Sequence, residues 1–369
     1  MKIVLIGNSN RDSGGPANVM NGLKKYFDRT DDIKIDFINL EEISLRNFFK
    51  LILQNKFNEK ELLNYDIVHF HELWNPAILY FINKAEKLGI PYLFTFHGIL
   101  NNWSLKKNKF IKKIFLKLFK KKIFLGANAF HFLTMHEYTE AKHLYSNFFN
   151  KSFVLQNGVN VSNYNNNKSS KKSDKLRLVF LGRKHPKKGL DILIKTFSKI
   201  KKNKLNITLK IVGPKSSHEN YLENLIKKYS LADNIKIEGP IYTLQEKNKL
   251  FSENDFLVLP SYDEADSMVL KEAVSFGLPI IITRECKFTD VQKEKIGFFI
   301  NHNPDEIYDK LLSITINKKN LDNFYYNCKN FANENFEISR IGLVYKENLK
   351  EIISGVQYSN NWLKVNKNI

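Results

Sequence analysis

The sequence predicts an α/β protein made of two doubly wound domains with parallel sheets. Short, continuous apolar runs recur, each ended by glycine, proline or a polar turn and followed by a segment with helical spacing. Such runs are typical of strands that are buried on both faces of a parallel sheet. The pattern stops at a polar stretch, residues 161–175, and then restarts. Because a chain of 369 residues exceeds what one hydrophobic core usually serves, we expect domains at residues 1–165 and 176–345.

Composition narrows the possible partners and the compartment. The 58 Lys and Arg residues exceed the 38 Asp and Glu residues, giving a net charge of +20, which predicts an anionic partner. Two cysteines, Cys286 and Cys328, form neither a disulfide framework nor a metal spacing and fit a reducing cytoplasm. The apolar run at the start is too short for a signal peptide, and no apolar stretch approaches the length of a membrane span.

The first half begins with a strand at residues 2–7, a polar loop that ends in Gly14 and Gly15, and a helix at residues 16–26. Further strands are predicted at residues 33–40, 66–71, 92–96, 129–133 and 153–155. The glycine pair allows backbone to approach a ligand closely. Neither a dinucleotide-binding fingerprint nor a phosphate-binding P-loop is present in the sequence.

Histidines follow two of the predicted strands. His69 and His71 share a face by strand alternation, and as a pair they could bind a metal, but no third ligand is placed beside them. The favoured alternative puts His71 and Trp74 at the rim of a cleft. His97 directly follows the strand at residues 92–96. A histidine after a strand can serve the structure or take part in a site, and the residues alone leave both interpretations open.

A lysine-rich segment, residues 105–124, carries nine lysines between Lys106 and Lys122. Apolar pairs recur every four residues within it, which predicts an amphipathic helix. One interpretation is a helix that packs on the core and keeps its lysines in solvent. The other is attachment to an anionic membrane surface.

The second half places charged residues after two of its strands. Arg183 and Lys188 lie in a loop, residues 182–189, where two cations could neutralise a diphosphate, with Lys187 as an alternative to Lys188. A strand at residues 256–259 leads through a turn with Glu264 to a helix capped by Ser267, which contains Glu272. The amino end of that helix, around Ser267, Met268 and Val269, suits a phosphate, and Glu272 could accept bonds from a sugar diol.

The order Pro260-Ser261, Glu264, Glu272-Ala273, Gly277 and Leu278-Pro279 resembles the E-x7-E signature of glycosyltransferase family 4. The resemblance implies a GT-B fold, with two Rossmann-like doubly wound domains facing a central cleft, and a retaining enzyme that uses a nucleotide sugar. By the same resemblance Glu272 contacts the nucleotide ribose and Glu264 lies beside the donor sugar. The sequence departs from the family at Ala265-Asp266-Ser267, where Gly-Phe-Gly is common, so the donor sugar is left open.

Four further elements match the same family in order. Gly14 and Gly15 resemble its glycine-rich loop near the donor diphosphate and the acceptor, and the run from His71 to Pro76 resembles a His-x-x-Trp-Asn-Pro motif on the acceptor side. His97-Gly98 resembles its contact with the reaction centre, and Arg183 and Lys188 its pyrophosphate ligands. The resemblance also implies that residues 346–369 form a helix that crosses back to the first domain.

Together these features predict a retaining hexosyltransferase that uses a UDP- or GDP-sugar. We expect a lipid-linked acceptor of bacterial surface polysaccharide or lipooligosaccharide, no cofactor, and no metal because no Asp-x-Asp pair is suitably placed. We also expect a cytoplasmic protein, peripheral on the inner face of the bacterial cytoplasmic membrane. The alternatives are a GT-B epimerase or phosphorylase, a non-catalytic protein that binds sugar nucleotides or anionic lipid, and a nucleic-acid-binding protein. Only the net charge favours the last of these, since no nucleic-acid-binding motif accompanies it.

Overall fold

The computed structural model describes residues 1–10, 14–40, 62–106, 108–145, 151–164, 174–317, 321–355 and 362–365. The chain divides into two compact units, residues 1–158 with 338–369, and residues 159–337. Val159 and Glu337, the first and last residues of the second unit, form a parallel β-bridge, so the chain enters and leaves this unit at one place.

The described elements alternate between strands and helices along most of the chain. In chain order the strands are β1 (Lys2–Gly7), β2 (Lys34–Asn39), β3 (Ile67–Phe70), β4 (Tyr92–Thr95), β5 (Ala129–Phe132), β6 (Lys151–Val154), β7 (Leu176–Leu181), β8 (Ile207–Val212), β9 (Ile235–Glu238), β10 (Phe256–Leu259), β11 (Ile280–Thr283), β12 (Gly297–Ile300) and β13 (Trp362–Val365). The helices are α1 (Gly15–Thr30), α2 (Ala77–Leu88), α3 (Asn102–Lys106), α4 (Lys109–Gly126), α5 (Met135–Leu144), α6 (Leu190–Lys202), α7 (Glu219–Lys228), α8 (Leu244–Glu253), α9 (Met268–Phe276), α10 (Pro304–Ile316), α11 (Leu321–Asn335) and α12 (Ile338–Ile353).

Each unit contains one parallel sheet. In the first unit the strands lie in the order β13-β6-β5-β4-β3-β1-β2, and in the second in the order β12-β11-β10-β7-β8-β9. The second order is that of a doubly wound nucleotide-binding sheet, in which the connections reverse direction beside the first strand, here between β7 and β10. The loops that follow β7 and β10 therefore meet at the carboxyl edge of the sheet, where such folds bind their ligands.

The central strands are buried on both faces, as the continuous apolar runs predict. Every residue of β3, β4, β5, β10 and β11 is buried. β-Branched and aromatic residues dominate these strands and pack between the helices on either side. The predicted parallel α/β architecture is confirmed.

Part of the predicted polar linker is folded into the second unit. Val161–Tyr164 forms a 3₁₀ turn in which Val161 and Tyr164 are buried, because these two apolar side chains join the core of that unit. Residues 165–173 of the same stretch lie outside the described residues.

The carboxyl-terminal segment returns to the first unit, beginning earlier than residue 346. Helix α12 packs beside α1, where the Tyr26 hydroxyl donates to the carbonyl of Ser339 at 3.3 Å. Residues 362–365 do not continue a helix but form β13, which pairs in parallel with β6. Without β13, β6 would be the edge strand of this sheet and would present unpaired N–H and C=O groups, which the backbone of residues 362–365 pairs with.

The lysine-rich segment forms α3 and α4, with residue 107 outside the described part of the chain. One face of α4 is buried through Leu116, Ile123 and Phe124. No helix in the described ranges is long and apolar enough to cross a membrane.

Gly297 is placed where a larger residue cannot fit. A Cβ at this position would lie 1.9 Å from the carbonyl oxygen of Ile280 in the neighbouring strand β11. We predict that Gly297→Ala lowers the free energy of unfolding by about 2–3 kcal/mol, because backbone in a packed sheet cannot move aside easily. Denaturant titration of the ligand-free protein measures this loss.

The matched control is Gly239→Ala, since a Cβ there meets nothing within 4 Å. We expect this control to change the free energy of unfolding by no more than about 0.5 kcal/mol. Equal stability of the two variants would contradict the proposed packing at Gly297.

Candidate functional site

Two loops of the second unit are joined at the carboxyl edge of its sheet. The Tyr262 backbone N–H donates to the carbonyl of Lys187 at 2.8 Å, and the Ser261 hydroxyl oxygen lies 3.1 Å from the same carbonyl oxygen. Gly189 has a φ of +66°, and a Cβ on it would lie 2.1 Å from the Pro260 carbonyl oxygen. Only glycine tolerates both the left-handed backbone and this close approach, so it fixes the loop of residues 182–189 against the turn after β10.

Lys188 and Glu264, 76 positions apart in the chain, form a half-buried ion pair. The Lys188 ammonium lies 2.6 Å from Oε1 of Glu264, and the Ser261 hydroxyl donates to the same oxygen at 2.6 Å. The Glu264 backbone N–H donates to the Glu285 carbonyl at 3.0 Å. Both the backbone and the side chain of Glu264 are therefore held at this edge.

The other cations of the first loop differ in their surroundings. Lys187, the alternative to Lys188, lies 2.6 Å from Asp263, which also pairs with Lys287 at 2.9 Å. Burial alone would raise the pKa of Asp263, but the Lys187 and Lys287 ammonium groups outweigh it and the net pKa is lowered. Arg183 is exposed, which leaves its guanidinium accessible to a ligand from solvent.

Helix α9 begins beside the same turn. Ser267 occupies the N-cap position, as predicted, but its side chain forms no capping bond to any described residue. Its carbonyl accepts from the N–H groups of Leu270 at 3.2 Å and Lys271 at 3.3 Å. The amides of the first helical residues, Met268 and Val269, have no helical acceptor because no preceding turn exists, which makes this end of the helix suitable for an anion.

Glu272 lies in the second turn of α9 and contacts two residues from other elements. The Lys247 ammonium of α8 lies 2.7 Å from its Oε1. The buried Tyr164 side chain lies near the same carboxylate, and burial together with that carboxylate raises the pKa of its hydroxyl. Neither partner was predicted from the sequence.

Asp266 and Lys271 form a buried ion pair that the sequence analysis missed. The Lys271 ammonium lies 2.7 Å from Oδ1 of Asp266, and the two side chains are only 2% and 6% exposed. Burial lowers the pKa of Lys271, and the nearby Asp266 carboxylate opposes that shift. A lysine between apolar positions of α9 was the available signal, since a charge on the buried side of a helix requires a partner.

In the first unit, the polar loop after β1 is described only in part. Residues 11–13 lie outside the described residues. Gly14 has a φ of 95° and precedes α1, and a Cβ added at Gly15 would meet nothing within 4 Å. The glycine pair thus lies where the loop meets α1, which begins at Gly15, one residue before the predicted start. Gly14 adopts a conformation that favours glycine.

Three histidines of the first unit lie on adjacent strands or just beyond them. Nδ1 of His71 lies 2.8 Å from Nε2 of His97, and the ring centroids of His69 and His71 are 4.1 Å apart. His71 is buried rather than exposed at a rim, and its Nε2 atom has no hydrogen-bond partner among the described residues. His97 has a φ of 50°, and the Glu137 carboxylate accepts from the next backbone N–H, that of Gly98, at 2.5 Å.

His69 belongs to a buried chain of hydrogen bonds, whose direction we give for a His131 ring that carries one proton. Nε2 of His131 lies 2.7 Å from the Leu155 carbonyl oxygen, which only accepts, so His131 carries its proton there. Its Nδ1 then accepts from the Thr95 hydroxyl at 2.8 Å. Thr95 in turn accepts from Nε2 of His69 at 2.7 Å, and Nδ1 of His69 accepts from the Tyr345 hydroxyl at 2.7 Å.

This chain leaves neither ring nitrogen of His69 available to a metal. Consistently, the described ranges contain no cluster of three or more His, Cys, Asp or Glu residues that could hold an ion. Trp74 does not extend the histidine cluster but packs against α4. The Phe115 ring lies 6.0 Å from its ring, and the Lys112 ammonium lies 4.9 Å from its ring centroid.

Burial keeps the histidine cluster neutral. Desolvation, with a smaller contribution from the other histidines, lowers the pKa values of His69 and His71 far below the usual range. For the same reasons the pKa of His97 falls to about 3. At neutral pH these rings offer hydrogen bonds and carry no charge.

Two parallel doubly wound units, with a cationic loop, one glutamate in the turn after β10 and a second in α9, are typical of a GT-B protein, and comparison with known families agrees. The glycosyl transferases group 1 family model matches residues 162–331, and the glycosyltransferase family 4 model matches residues 24–163. The chain belongs to this family of glycosyltransferases.

Curated relatives are distant. The gpi3 subunit of phosphatidylinositol N-acetylglucosaminyltransferase from Schizosaccharomyces pombe is 25% identical over 326 residues, which cover 85% of this chain and 65% of that protein. The chain therefore spans slightly less than two thirds of that relative. An uncharacterised 41.2 kDa protein in the cps region of Klebsiella pneumoniae is 26% identical over 318 residues, 80% of each chain.

Solved structures share the fold at low sequence identity. HepE from Anabaena, in complex with UDP-glucose, superposes with a TM-score of 0.75 at 16% identity and covers 95% of this chain and 100% of its own. WaaG, a glycosyltransferase involved in lipopolysaccharide biosynthesis, superposes with a TM-score of 0.70 at 15% identity, over 96% of this chain and 100% of its own.

The neutral histidines make folding stability depend on pH. Their folded pKa values lie below the unfolded value of about 6.5, so the unfolded state binds more protons as the pH falls. We predict that the free energy of unfolding decreases from about pH 7 to about pH 5, by up to about 1.4 kcal/mol per pH unit for each buried histidine. Denaturant titrations across this range measure the slope.

Ring NMR signals provide the control for this prediction. The rings of His69, His71 and His97 should not titrate in the folded protein, whereas all nine histidines of the urea-unfolded chain should titrate near pH 6.5. Midpoints near 6.5 for these three rings in the folded state would show that they are not kept neutral by burial.

Proposed function

We propose that this glycosyltransferase transfers a hexose from a UDP- or GDP-sugar to an acceptor hydroxyl with retention of configuration. The observation that carries the proposal is the carboxyl edge of the second unit. Its loops and α9 bring cations, unpaired helix amides and two glutamates to one edge of the sheet. Each of these groups suits one part of a nucleotide sugar: the diphosphate, the ribose or the hexose.

The cations and helix amides suit the leaving group. As the bond between the sugar and the diphosphate breaks, negative charge develops on the diphosphate, and fixed donors stabilise that charge. Arg183, Lys188 and the amides at Ser267, Met268 and Val269 would supply them. An ammonium has three donors, so Lys188 can keep its bond to Glu264 while it binds a phosphate oxygen. These cations take the role that a metal has in other transferases, so we propose a metal-independent reaction without a cofactor.

The remaining site residues receive roles around the reacting sugar. Glu272 would bind the ribose hydroxyls, and Glu264 would lie beside the donor hexose. His97 is assigned to the reaction centre, where its low pKa of about 3 means that it acts as a neutral hydrogen-bonding group. Gly14 and Gly15 would approach the donor diphosphate and the acceptor through backbone, and Gly15 is assigned to the donor. On the acceptor side, His71 would act through its hydrogen bond to His97, and Trp74 would act through its packing against α4.

The related proteins support the choice of substrates. HepE is described in complex with UDP-glucose, WaaG takes part in lipopolysaccharide biosynthesis, and the Klebsiella pneumoniae relative comes from a cps region. The Schizosaccharomyces pombe relative is named for an acceptor that is itself a phospholipid. We therefore propose a lipid-linked saccharide acceptor of surface polysaccharide or lipooligosaccharide assembly.

Helix α4 supports attachment to an anionic membrane. Opposite its buried face, five large apolar side chains face solvent: Phe110, Ile111, Ile114, Leu118 and Leu125 are 81%, 70%, 52%, 65% and 64% exposed. Exposed lysines flank this stripe, at positions 106, 109, 113, 117, 121 and 122. An apolar stripe rimmed by lysines fits the headgroup region of an anionic bilayer, where each basic residue contributes about 1 kcal/mol. We place the protein in the cytoplasm, on the inner face of the bacterial cytoplasmic membrane.

Donor binding is tested by thermal shift with UDP, GDP and their sugars in the presence of EDTA. We predict that one of the two nucleotides stabilises the wild-type protein by about 2.7 kcal/mol at roughly 100 times its dissociation constant. Arg183→Ala, Lys188→Met and Glu272→Gln should each abolish most of this shift, because each removes a ligand of the nucleotide.

Lys293→Met is the matched charge control. Lys293 is an exposed lysine paired with Glu294, and its loss should leave the nucleotide shift intact. A shift that appears only when Mg²⁺ or Mn²⁺ is added would contradict the metal-independent proposal. The absence of any shift with either nucleotide would overturn the assigned donor site.

Membrane attachment is tested by flotation with vesicles of equimolar phosphatidylglycerol and phosphatidylcholine. We predict that the wild-type protein floats with these vesicles and not with pure phosphatidylcholine, and that high salt weakens the association. The triple change Phe110→Ser, Ile114→Ser and Leu118→Ser should reduce binding at least about tenfold, because buried apolar area contributes with the lysines.

The control carries the same kind of change elsewhere on the surface. Ile316, Tyr326 and Leu343 are also exposed apolar residues, and serine at these three positions should leave flotation unchanged. If both triple variants bind like the wild type, α4 is not the membrane-binding element.

A further inference from the structure

Glu272 is held between a lysine and a tyrosine from two separate elements. Lys247 lies in the first turn of α8, 2.7 Å from Oε1 of Glu272. Tyr164 is the last residue of the 3₁₀ turn Val161–Tyr164 and is 5% exposed. The Tyr164 hydroxyl is near enough to the same carboxylate that Glu272 adds to the effect of burial in raising the pKa of Tyr164. The Lys247 ammonium therefore holds the carboxylate from one element, and Tyr164 lies beside it from another.

The two supporting elements are themselves tied down. The amino end of α8 carries a reciprocal cap, in which Thr243 and Glu246 each bond to the other's backbone N–H. The Asn248 side chain, one residue after Lys247, donates to the carbonyl of Asn163 at 3.2 Å. Lys247 and Tyr164 thus belong to one connected support and converge on Glu272 from fixed positions.

The number of acceptor positions left on Glu272 matches the number of hydroxyls in the diol of a ribose. An ionised carboxylate has about four lone-pair positions. Lys247 occupies one of them, a bond from Tyr164 would occupy a second, and the two that are then left equal the number of hydroxyls in a 2′,3′-diol. Burial, together with the nearby Glu272 carboxylate, raises the pKa of Tyr164, so its phenol stays protonated and can donate.

We propose that Tyr164 and Lys247 are positioning residues that orient Glu272 toward the ribose diol of the donor nucleotide. This inference rests on the proposed function, since Glu272 is assigned there to the ribose. It adds a link between nucleotide recognition and the segment through which the chain enters the second unit, because Tyr164 lies five residues after Val159.

The experiment compares UDP and GDP with their 2′,3′-dideoxy forms by isothermal titration calorimetry. In the wild-type protein, loss of both ribose hydroxyls should weaken binding strongly. Tyr164→Phe and Lys247→Met should each weaken binding of the normal nucleotide about tenfold, the effect of losing one hydrogen bond to a charged group. Binding of the dideoxy nucleotide should change less than about twofold, because it has no diol for Glu272 to hold.

Tyr325→Phe is the matched control for Tyr164→Phe. Tyr325 is a buried tyrosine of the same core, and it lies near Asp255, which precedes β10 at the opposite edge of the sheet from Glu272. This control should bind both nucleotides like the wild type. Thermal unfolding of every variant checks that the fold is retained.

The outcomes separate this inference from the function on which it rests. If the wild type binds UDP or GDP but Tyr164→Phe and Lys247→Met bind it equally well, the positioning role is overturned and the donor site stands. Equal weakening of the normal and dideoxy nucleotides would also overturn it, since the residues would then act on the phosphates or on the fold. If the wild type binds neither nucleotide, the proposed donor site fails and this inference fails with it.

Discussion

The approach of Gly189 to the carbonyl of Pro260 determines the arrangement of the candidate donor site. Strands β7 and β10 are parallel neighbours, so the loops that follow them leave the sheet side by side. Because a Cβ at residue 189 would lie 2.1 Å from the Pro260 oxygen, no side chain separates these loops. Consecutive residues can then pair in step, Lys187 with Asp263 and Lys188 with Glu264.

This pairing explains how four carboxylates can lie at a site that we propose for an anion. The segment around the turn and α9 carries four carboxylates, which alone would repel a diphosphate. Each of them is paired with one or more lysines: Asp263 with Lys187 and Lys287, Glu264 with Lys188, Asp266 with Lys271, and Glu272 with Lys247. Four carboxylates against five lysines leave one positive charge, to which the exposed Arg183 adds another. The edge is therefore cationic at the place where the proposed leaving group develops negative charge.

The sequence predicted the elements better than the partners of their side chains. Strands such as β10 and β11 were predictable because burial on both faces requires continuous apolar residues. Since these strands are parallel, the residues that follow them must lie at the same edge of the sheet. The pair of Asp266 with Lys271 and the contact of Tyr164 with Glu272 depend on how helices rotate and pack, which spacing along the chain does not encode. Strand β13 was missed because its pairing depends on the free edge of β6, far away in sequence. The roles assigned to Glu264, Glu272, Arg183, Lys188 and His97 remain predictions for the experiments above.

The histidines of the first unit show how a hydrogen-bond chain can decide which residues are available for chemistry. The Leu155 carbonyl can only accept, so Nε2 of His131 donates to it. With one proton on His131, the hydrogen bonds of Thr95, His69 and Tyr345 then take one direction, and burial disfavours a second proton on His69. His71 and His97 bond to each other outside this chain, and no carbonyl of the described residues fixes which ring donates. This pair therefore keeps a choice of proton position, which suits the role near a substrate hydroxyl that we propose for His97.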